Sequence, residues 1–351
     1  MVSVVVVNWN GVAYLERCLA AVFAQRRRPD EVILVDNHSD DDSRELVAAR
    51  FPQVEILDTG ANLGPAAARN RGVARARGEV VLLLDNDVFL EPDALGAMLA
   101  TLEADPRAAV VQARSLCEDR PAILHYDAAD LQYVGTLALH DWFVALDLAR
   151  PETRPVGAVI ALCLLVRRAA FEKVGGFDEA LFILYEDNDL SWKLRMHGHT
   201  LWLSTDAIVR HAAGTAGLSF REPGARYAGR RVFLHARNRW LVLLQCARWR
   251  TLLLTAPAQM LYAGVYLVFA ATRGGLWSAC HGHLAALAAV PRALRNRRVQ
   301  RGRCVPDRDI LVALPLTPNP GIADRGWRAG LRRGLDAILV GWWRVVRRLC
   351  G

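Results

Sequence analysis

The sequence predicts an α/β protein, a doubly wound and mostly parallel sheet followed by a mainly helical, basic and apolar region. Three observations predict it. Short apolar runs alternate with helix-length stretches over the first 85 residues, each run ends in a polar turn, and the texture changes beyond about residue 220. At 351 residues the chain is long enough for two domains, expected at 1–220 and 221–351.

The strands come first. Val2–Val7, Glu31–Val35, Val54–Leu57 and Val80–Leu84 are mostly apolar and rich in Val, Ile and Leu, without regular polar alternation. Such runs belong to strands covered on both faces, as in a parallel sheet. Between them, Tyr14–Gln25, Asp42–Arg50 and Pro65–Arg77 read as crossover helices. Residues 105–165 carry a weaker signal. Aromatic and His residues around His125–Trp142 read as short strands and a loop-rich surface for an acceptor. Gly157–Val166 reads as another buried strand, Arg168–Val174 as a helix stopped by Gly175-Gly176, and a further helix is expected to begin near Asp189.

Each early run ends in a polar cluster: Asn8-Trp9-Asn10-Gly11, Asp36-Asn37-His38-Ser39, Asp58-Thr59-Gly60-Ala61-Asn62 and Asp85-Asn86-Asp87. Open α/β sheets bind ligands beyond the carboxyl ends of their strands. Four clusters at four such ends therefore converge on one crevice.

The charge is unevenly spread. Residues 221–351 hold 23 Arg against 5 acidic residues, whereas residues 1–220 hold 21 basic against 31 acidic. A basic half can meet nucleic acid or an anionic bilayer. Here the arginines flank Thr251–Thr272 and Gly274–Pro291, windows without a charge, and a tail combining five arginines with Trp342 and Trp343. That is a membrane pattern and argues against nucleic acid. A helical hairpin, two helices lying in the interface and a buried soluble pair all fit these windows. The seven cysteines are scattered and form no C-x-x-C pair, which fits a reducing compartment. The first residues read as a buried strand and not as an export signal. The expected location is the cytoplasmic face of a membrane.

Asp85 and Asp87, one residue apart at a strand end, can share a hard divalent cation and a ribose hydroxyl, although a solvated turn also carries such a triplet. Glu186 and Asp187 are read as lying ahead of the helix that Asp189 caps, among Phe182, Tyr185 and Trp192. Desolvation there would raise a carboxylate pKa and prepare a general base. A solvated acidic helix start is the alternative. His211, at another expected strand end, would complete an oxygen-rich site favouring Mn²⁺ or Mg²⁺ over zinc. In Asn62-Leu63-Gly64-Pro65-Ala66-Ala67-Ala68-Arg69-Asn70, small residues admit a phosphate-bearing ligand and Arg69 can meet a diphosphate. Tight helix packing would explain the same residues.

Taken in order, these segments, with Gly175-Gly176-Phe177-Asp178-Glu179 and Tyr185-Glu186-Asp187-Asn188-Asp189-Leu190-Ser191-Trp192, resemble family 2 glycosyltransferases of the GT-A fold. The rhamnosyltransferase-like branch is the nearest in pattern, over roughly residues 1–215. One departure is Pro65 and Arg69, where many members of that branch carry a bulky aromatic after Asn-Leu-Gly and no arginine. The resemblance implies an inverting, metal-dependent transfer from a deoxythymidine-, uridine- or guanosine-diphosphate sugar to a glycan or polyprenyl-linked acceptor. It implies Asp36 at the nucleobase, with the backbone near Val7 and Asn8 supporting the nucleoside. Asn62, Gly64, Arg69, Asp85 and Asn86 complete the donor site. Asp85, Asp87 and His211 would hold Mg²⁺ or Mn²⁺, and Asp187 would be the base with Glu186 beside it. A nucleotidyltransferase would carry a Gly-rich basic loop after the first strand, which Asn8-Trp9-Asn10-Gly11 is not. A non-catalytic scaffold is expected to have lost Asp87 or Asp187, and both are present.

Overall fold

The computed structural model describes residues 1–212, 229–316 and 327–351, with only the backbone of Trp327 and Arg328. The boundary expected at 220 lies outside the described residues. The chain divides into two compact units: Met1–Ala129, Leu139–Leu194 and His199–Gly214 form the first, and Asp130–Ala138, Arg195–Gly198 and Thr215–Gly351 the second.

The first unit opens with three β–α repeats: β1 (Val2–Asn8), α1 (Val12–Phe23), β2 (Glu31–Asp36), α2 (Ser43–Arg50), β3 (Glu55–Asp58), α3 (Gly64–Arg75) and then β4 (Val80–Asp85). β1 pairs in parallel with β2 and β4, and β2 with β3. β1 and β2 are buried along their whole length, their apolar middles in the core and their polar ends paired, Ser3 with Glu31 and Asn8 with Asp36. After β5 (Val88–Leu90) and α4 (Ala94–Ala104) come β6 (Ala108–Cys117), β7 (Leu124–Tyr126), two three-residue strands β8 (Ala129–Leu131) and β9 (Leu137–Leu139), β10 (Arg154–Val156) and β11 (Cys163–Arg167). α5 (Arg168–Lys173), α6 (Glu186–Met196) and β12 (Thr200–His211) follow. The sheet runs β10-β12-β6-β11-β4-β1-β2-β3, with β5 on β12 and β7 on β6. β11 lies antiparallel between β4 and β6, while β6 and β12 are parallel. Two apolar clusters, one on each face, bury the sheet.

Three local expectations change. Gly157–Val166 is strand only from Cys163. The preceding residues form a loop whose amides are held by side chains, Val159 N donating to Ser191 Oγ at 3.1 Å and Ile160 N to Gln112 Oε1 at 2.7 Å. β6 is a ten-residue buried strand in the stretch of weaker signal ahead of His125, where no strand was expected. α6 starts at Glu186 and not near Asp189, so both carboxylates lie in its first turn. Asp189 pairs with Lys193 at 2.6 Å one turn on, an i,i+4 bond that extends the helix instead of starting it.

The second unit is helical: α7 (Gly229–Cys246), α8 (Trp249–Thr272), α9 (Leu276–Ala288), α10 (Val290–Asn296), α11 (Asp307–Ile310) and α12 (Trp327–Val346). Its packing includes the inserted residues 130–138. Tyr133 stacks on Trp343 with ring centroids 4.9 Å apart and donates its hydroxyl to Leu339 O at 2.9 Å. Arg239, 1% exposed, donates to Val134 O and to Gln259 Oε1. α8 alone among the described helices is long and apolar enough to cross a bilayer. The second apolar window breaks at Ala289. The 13 residues of α9 rise only about 20 Å, short of a hydrocarbon core of about 30 Å.

Candidate active site

The carboxyl ends of β1, β2 and β4 carry the polar clusters, because a parallel sheet aligns those ends. Asn8 links them. Its Nδ2 donates to Asp36 Oδ1 at 2.9 Å, and its Oδ1 accepts from Asn86 Nδ2 at 2.6 Å. Gly11 leaves room for this bond, since a Cβ there would overlap the Asn86 amide and displace it. Asp36 is fully buried and its carboxylate is engaged on both oxygens. Oδ1 also accepts from Ser39 Oγ at 2.6 Å, and Oδ2 from Ser39 N at 2.9 Å. Val7 lies buried at the same strand end. Asn62 accepts from Asn37 Nδ2 at 3.0 Å and from Gly64 N at 3.0 Å, setting the turn into α3. Gly64 takes φ +82°, and a side chain there would strike Phe182. The loop ahead of α6 is thereby drawn against α3. Asn70 fixes it further by exchanging two 2.9 Å hydrogen bonds with the Phe177 backbone.

Arg69 stands where these elements meet. It is 4% exposed, donates Nη2 to Asp85 Oδ1 at 2.7 Å and brings Nη1 within 3.5 Å of Glu186 Oε1. Among the described residues its Nε and Nη1 and Glu186 Oε2 are buried without a hydrogen-bond partner. Burial opposes the guanidinium charge, but Asp85, Glu186 and Asp187 outweigh it and hold Arg69 above the ordinary arginine value. Burial pushes the carboxyls of Asp85 and Glu186 up, against the pull of Arg69. Asp187 is pushed furthest, first by burial and then by the charge of Glu186 beside it. It is only half-buried, and its Oδ1 accepts from Ala161 N at 3.1 Å. A positioned carboxylate of raised pKa at an accessible rim can take a proton.

On the other side of Asp85, Asp87 is 5% exposed and His211 Nε2 lies 3.3 Å from its Oδ2. β12 ends on His211, and the pairing of its last residues with β5 sets this contact. Asp87 and His211 supply one oxygen and one nitrogen donor. Among the described residues no three His, Cys, Asp or Glu side chains close a cation cage. That donor set fits a hard cation whose remaining positions come from water and phosphate oxygens. The sequence pattern assigned His125 and Tyr126 to a loop-rich acceptor surface, with no role beside these carboxylates. β7 brings both to the site. Tyr126 is nearly buried, and burial together with Asp187, Asp85 and Asp87 raises its phenol well above the ordinary value. His125 Nδ1 is 2.8 Å from His211 Nδ1.

Residues 3–175 match the family described as glycosyl transferase family 2. The chain is 32% identical over 256 residues to the N-acetylglucosaminyl-diphospho-decaprenol L-rhamnosyltransferase of Mycobacterium tuberculosis, spanning 65% of this chain and 80% of that one. It belongs to glycosyl transferase family 2. A second relative of this family 2 chain, the pre-mycofactocin glycosyltransferase of the same organism, is 32% identical over 60% of this chain and 42% of its own length. Among solved structures, GalNAc-T7 with UDP, GalNAc and Mn²⁺ aligns with a TM-score of 0.56 at 18% identity, covering 74% of this chain and 51% of that one. The fold is GT-A, and the family 2 chain is a glycosyltransferase. Asp36, Asp85 and Asp87 lie inside the span matched to the family; Glu186, Asp187 and His211 lie beyond it.

Proposed function

We propose that the chain is an inverting, divalent-cation-dependent glycosyltransferase of cell-envelope glycan synthesis. It would move a sugar from a nucleoside diphosphate, such as deoxythymidine-diphosphate rhamnose or a uridine- or guanosine-diphosphate sugar, to a polyprenyl-linked acceptor. The observation that carries this is the Arg69–Asp85–Glu186–Asp187 cluster at the strand ends. Asp187 takes the proton of an acceptor hydroxyl as that oxygen attacks the anomeric carbon, and the bond to the diphosphate oxygen breaks on the opposite face. Arg69 ties Asp85 and Glu186 together and limits their mutual repulsion. The loop residues Asn8, Asn62 and Gly64 shape the nucleoside side. A bound Mg²⁺ or Mn²⁺, held by Asp87 and His211 with Asp85 beside them, would neutralise charge on the departing diphosphate. The rhamnosyl donor and decaprenol-linked acceptor are suggested by the named relative at 32% identity.

The membrane-facing part of the reading rests on α8. This helix buries Thr251, Thr255 and Gln259 while presenting Leu253, Met260, Val265 and Val268 outward. A helix in a water-soluble protein arranges its faces the other way. Exposed Trp277, Leu284 and Leu287 on α9 and Ile338, Trp342 and Val345 on α12 add to the apolar surface. Arg333, Arg344, Arg347 and Arg348 can meet anionic headgroups. We place the enzyme at the cytoplasmic face on this basis.

Calorimetric titration with nucleoside diphosphates and their sugars, with and without Mn²⁺ or Mg²⁺, tests the donor side. Cation-dependent binding of one nucleotide class is expected, and folded protein that binds none of them would refute the assignment. Co-sedimentation with anionic vesicles tests the membrane side. Leu253→Glu combined with Val268→Glu should release the protein, and undiminished sedimentation would remove α8 from the interface.

A further inference from the structure

His211 has two ring nitrogens, and the fold gives each an assigned neighbour. Nε2 faces Asp87 at 3.3 Å, and Nδ1 faces His125 Nδ1 at 2.8 Å. The two rings lie with centroids 4.7 Å apart, and the His125 ring packs in turn on Phe143 at 5.4 Å. The backbone holds both ends of this contact. β6 separates β7 from β12, with His211 in register with Cys117 and Leu124 with Leu116. Cys117 N donates to Ile123 O at 2.9 Å, and Glu118 N to His211 O at 3.1 Å. Ala212 N donates to Asp87 O at 3.0 Å and closes the frame.

Two imidazole nitrogens at 2.8 Å share one hydrogen, so one ring donates and the other accepts. If His211 presents the Nε2 lone pair to a cation at Asp87, its hydrogen must sit on Nδ1. His125 Nδ1 is then the acceptor, and His125 carries its own hydrogen on Nε2. Ligating histidines commonly have their tautomer and ring angle set through the second nitrogen in this way. A carboxylate or a backbone carbonyl is the usual partner; here it is another imidazole.

We propose that His125 is a positioning residue for His211. It accepts the His211 Nδ1 hydrogen and thereby fixes the ring with its Nε2 lone pair toward Asp87 when a divalent cation is bound. The proposal rests on the cation reading given above.

The test is Mn²⁺ binding followed by electron paramagnetic resonance. Mn²⁺ is titrated alone and then with uridine, deoxythymidine and guanosine diphosphates in turn. His125→Phe keeps a ring of similar size but cannot accept the hydrogen, and should weaken Mn²⁺ binding by about 10- to 100-fold. His125→Asn places an amide oxygen near the Nδ1 position and should stay within a few-fold of the wild type. Equal binding by His125→Phe and wild type would overturn the proposal, and so would a loss in His125→Asn as large as in His125→Phe. Long-range ¹H–¹⁵N spectra of the Mg²⁺-loaded wild type supply a check that needs no variant to fold. They should show hydrogen on Nδ1 of His211 and Nε2 of His125, and hydrogen on Nε2 of His211 would overturn it. Asp87→Asn separates the two readings. If it binds Mn²⁺ as the wild type does, the cation site at Asp87 falls and His125 with it. If it loses Mn²⁺ while His125→Phe does not, only the His125 role falls.

Discussion

The two sides of the strand-end crevice are built on opposite terms. Around Asp36 both carboxylate oxygens accept hydrogen bonds, from Asn8 and Ser39, and the loops are knitted from one strand end to the next. Around Arg69 the guanidinium and Glu186 are also buried, yet Arg69 Nε and Nη1 and Glu186 Oε2 lack hydrogen-bond partners among the described residues. The carboxyls there are shifted upward as well. A buried polar group left incomplete costs free energy, whereas a satisfied one adds rigidity. The contrast shows where the fold spends stability. It completes the hydrogen bonds on the side proposed for the nucleoside and leaves polar groups incomplete on the side proposed to handle the proton.

If this division is right, variants on the two sides should fail differently. The largest effect is expected for Asp187→Asn. Transfer should fall by about 10²- to 10⁴-fold, the usual worth of a general base, while nucleotide affinity and thermal stability hold. Equal loss of donor binding would remove Asp187 from the base role. Next is Arg69→Met, which strands Asp85 and Glu186 beside each other. Breaking a buried pair costs about 3–5 kcal/mol, with the low end expected because Asp85 retains 29% exposure. Denaturant unfolding would measure it. Asp36→Asn should cost less, about 1.5–3 kcal/mol for hydrogen bonds to a charged group, with catalysis per bound donor preserved. A selective kcat loss would contradict its scaffold role.

The smallest effect sharpens the electrostatics. As the proposed base Asp187 must be ionised to accept a proton, and burial with the neighbouring Glu186 holds its carboxyl well above the ordinary value. The acid limb of activity should therefore sit above the usual carboxylate range, with the rate rising as pH passes through it. Glu186 is its strongest charged neighbour acting in that direction. Glu186→Gln should move the limb to lower pH, and an unmoved limb would assign the shift to burial alone. Because the two carboxyls titrate together, the limb belongs to the pair.

These differences also explain what could be read in advance. β1, β2 and β4 announced themselves because continuous Val, Ile and Leu leave little choice but a doubly covered strand. β6 did not, because Gln112, Arg114 and Ser115 interrupt its apolarity. The structure buries all three, and Arg114 forms a two-pronged pair with Asp127 at 2.7 and 2.9 Å. No local pattern reveals a partner 13 residues away across a turn. The start of α6 was misplaced because Asp189 has the chemistry of a cap, and only its tertiary surroundings show it paired with Lys193. His125 was visible as part of an aromatic cluster, but its neighbour in space is 86 residues distant in the chain.

The insertion of residues 130–138 into the second unit has a consequence for how this chain comes into being. Tyr133 and Val134 emerge from synthesis about two hundred residues ahead of Leu339 and Trp343, with which Tyr133 packs. Closing so long a loop is slow, and its contacts repay the entropy only once both ends exist. Until then the Tyr133 ring and hydroxyl lack their partners, although Gln259 and Arg239 can already bond the carbonyls of Tyr133 and Val134. A shortened product ending near residue 330 would keep every strand of the sheet and every carboxylate of the crevice. It would still leave the Tyr133 hydroxyl without its acceptor and the ring without the indole it stacks on, a handle for chaperones and proteases.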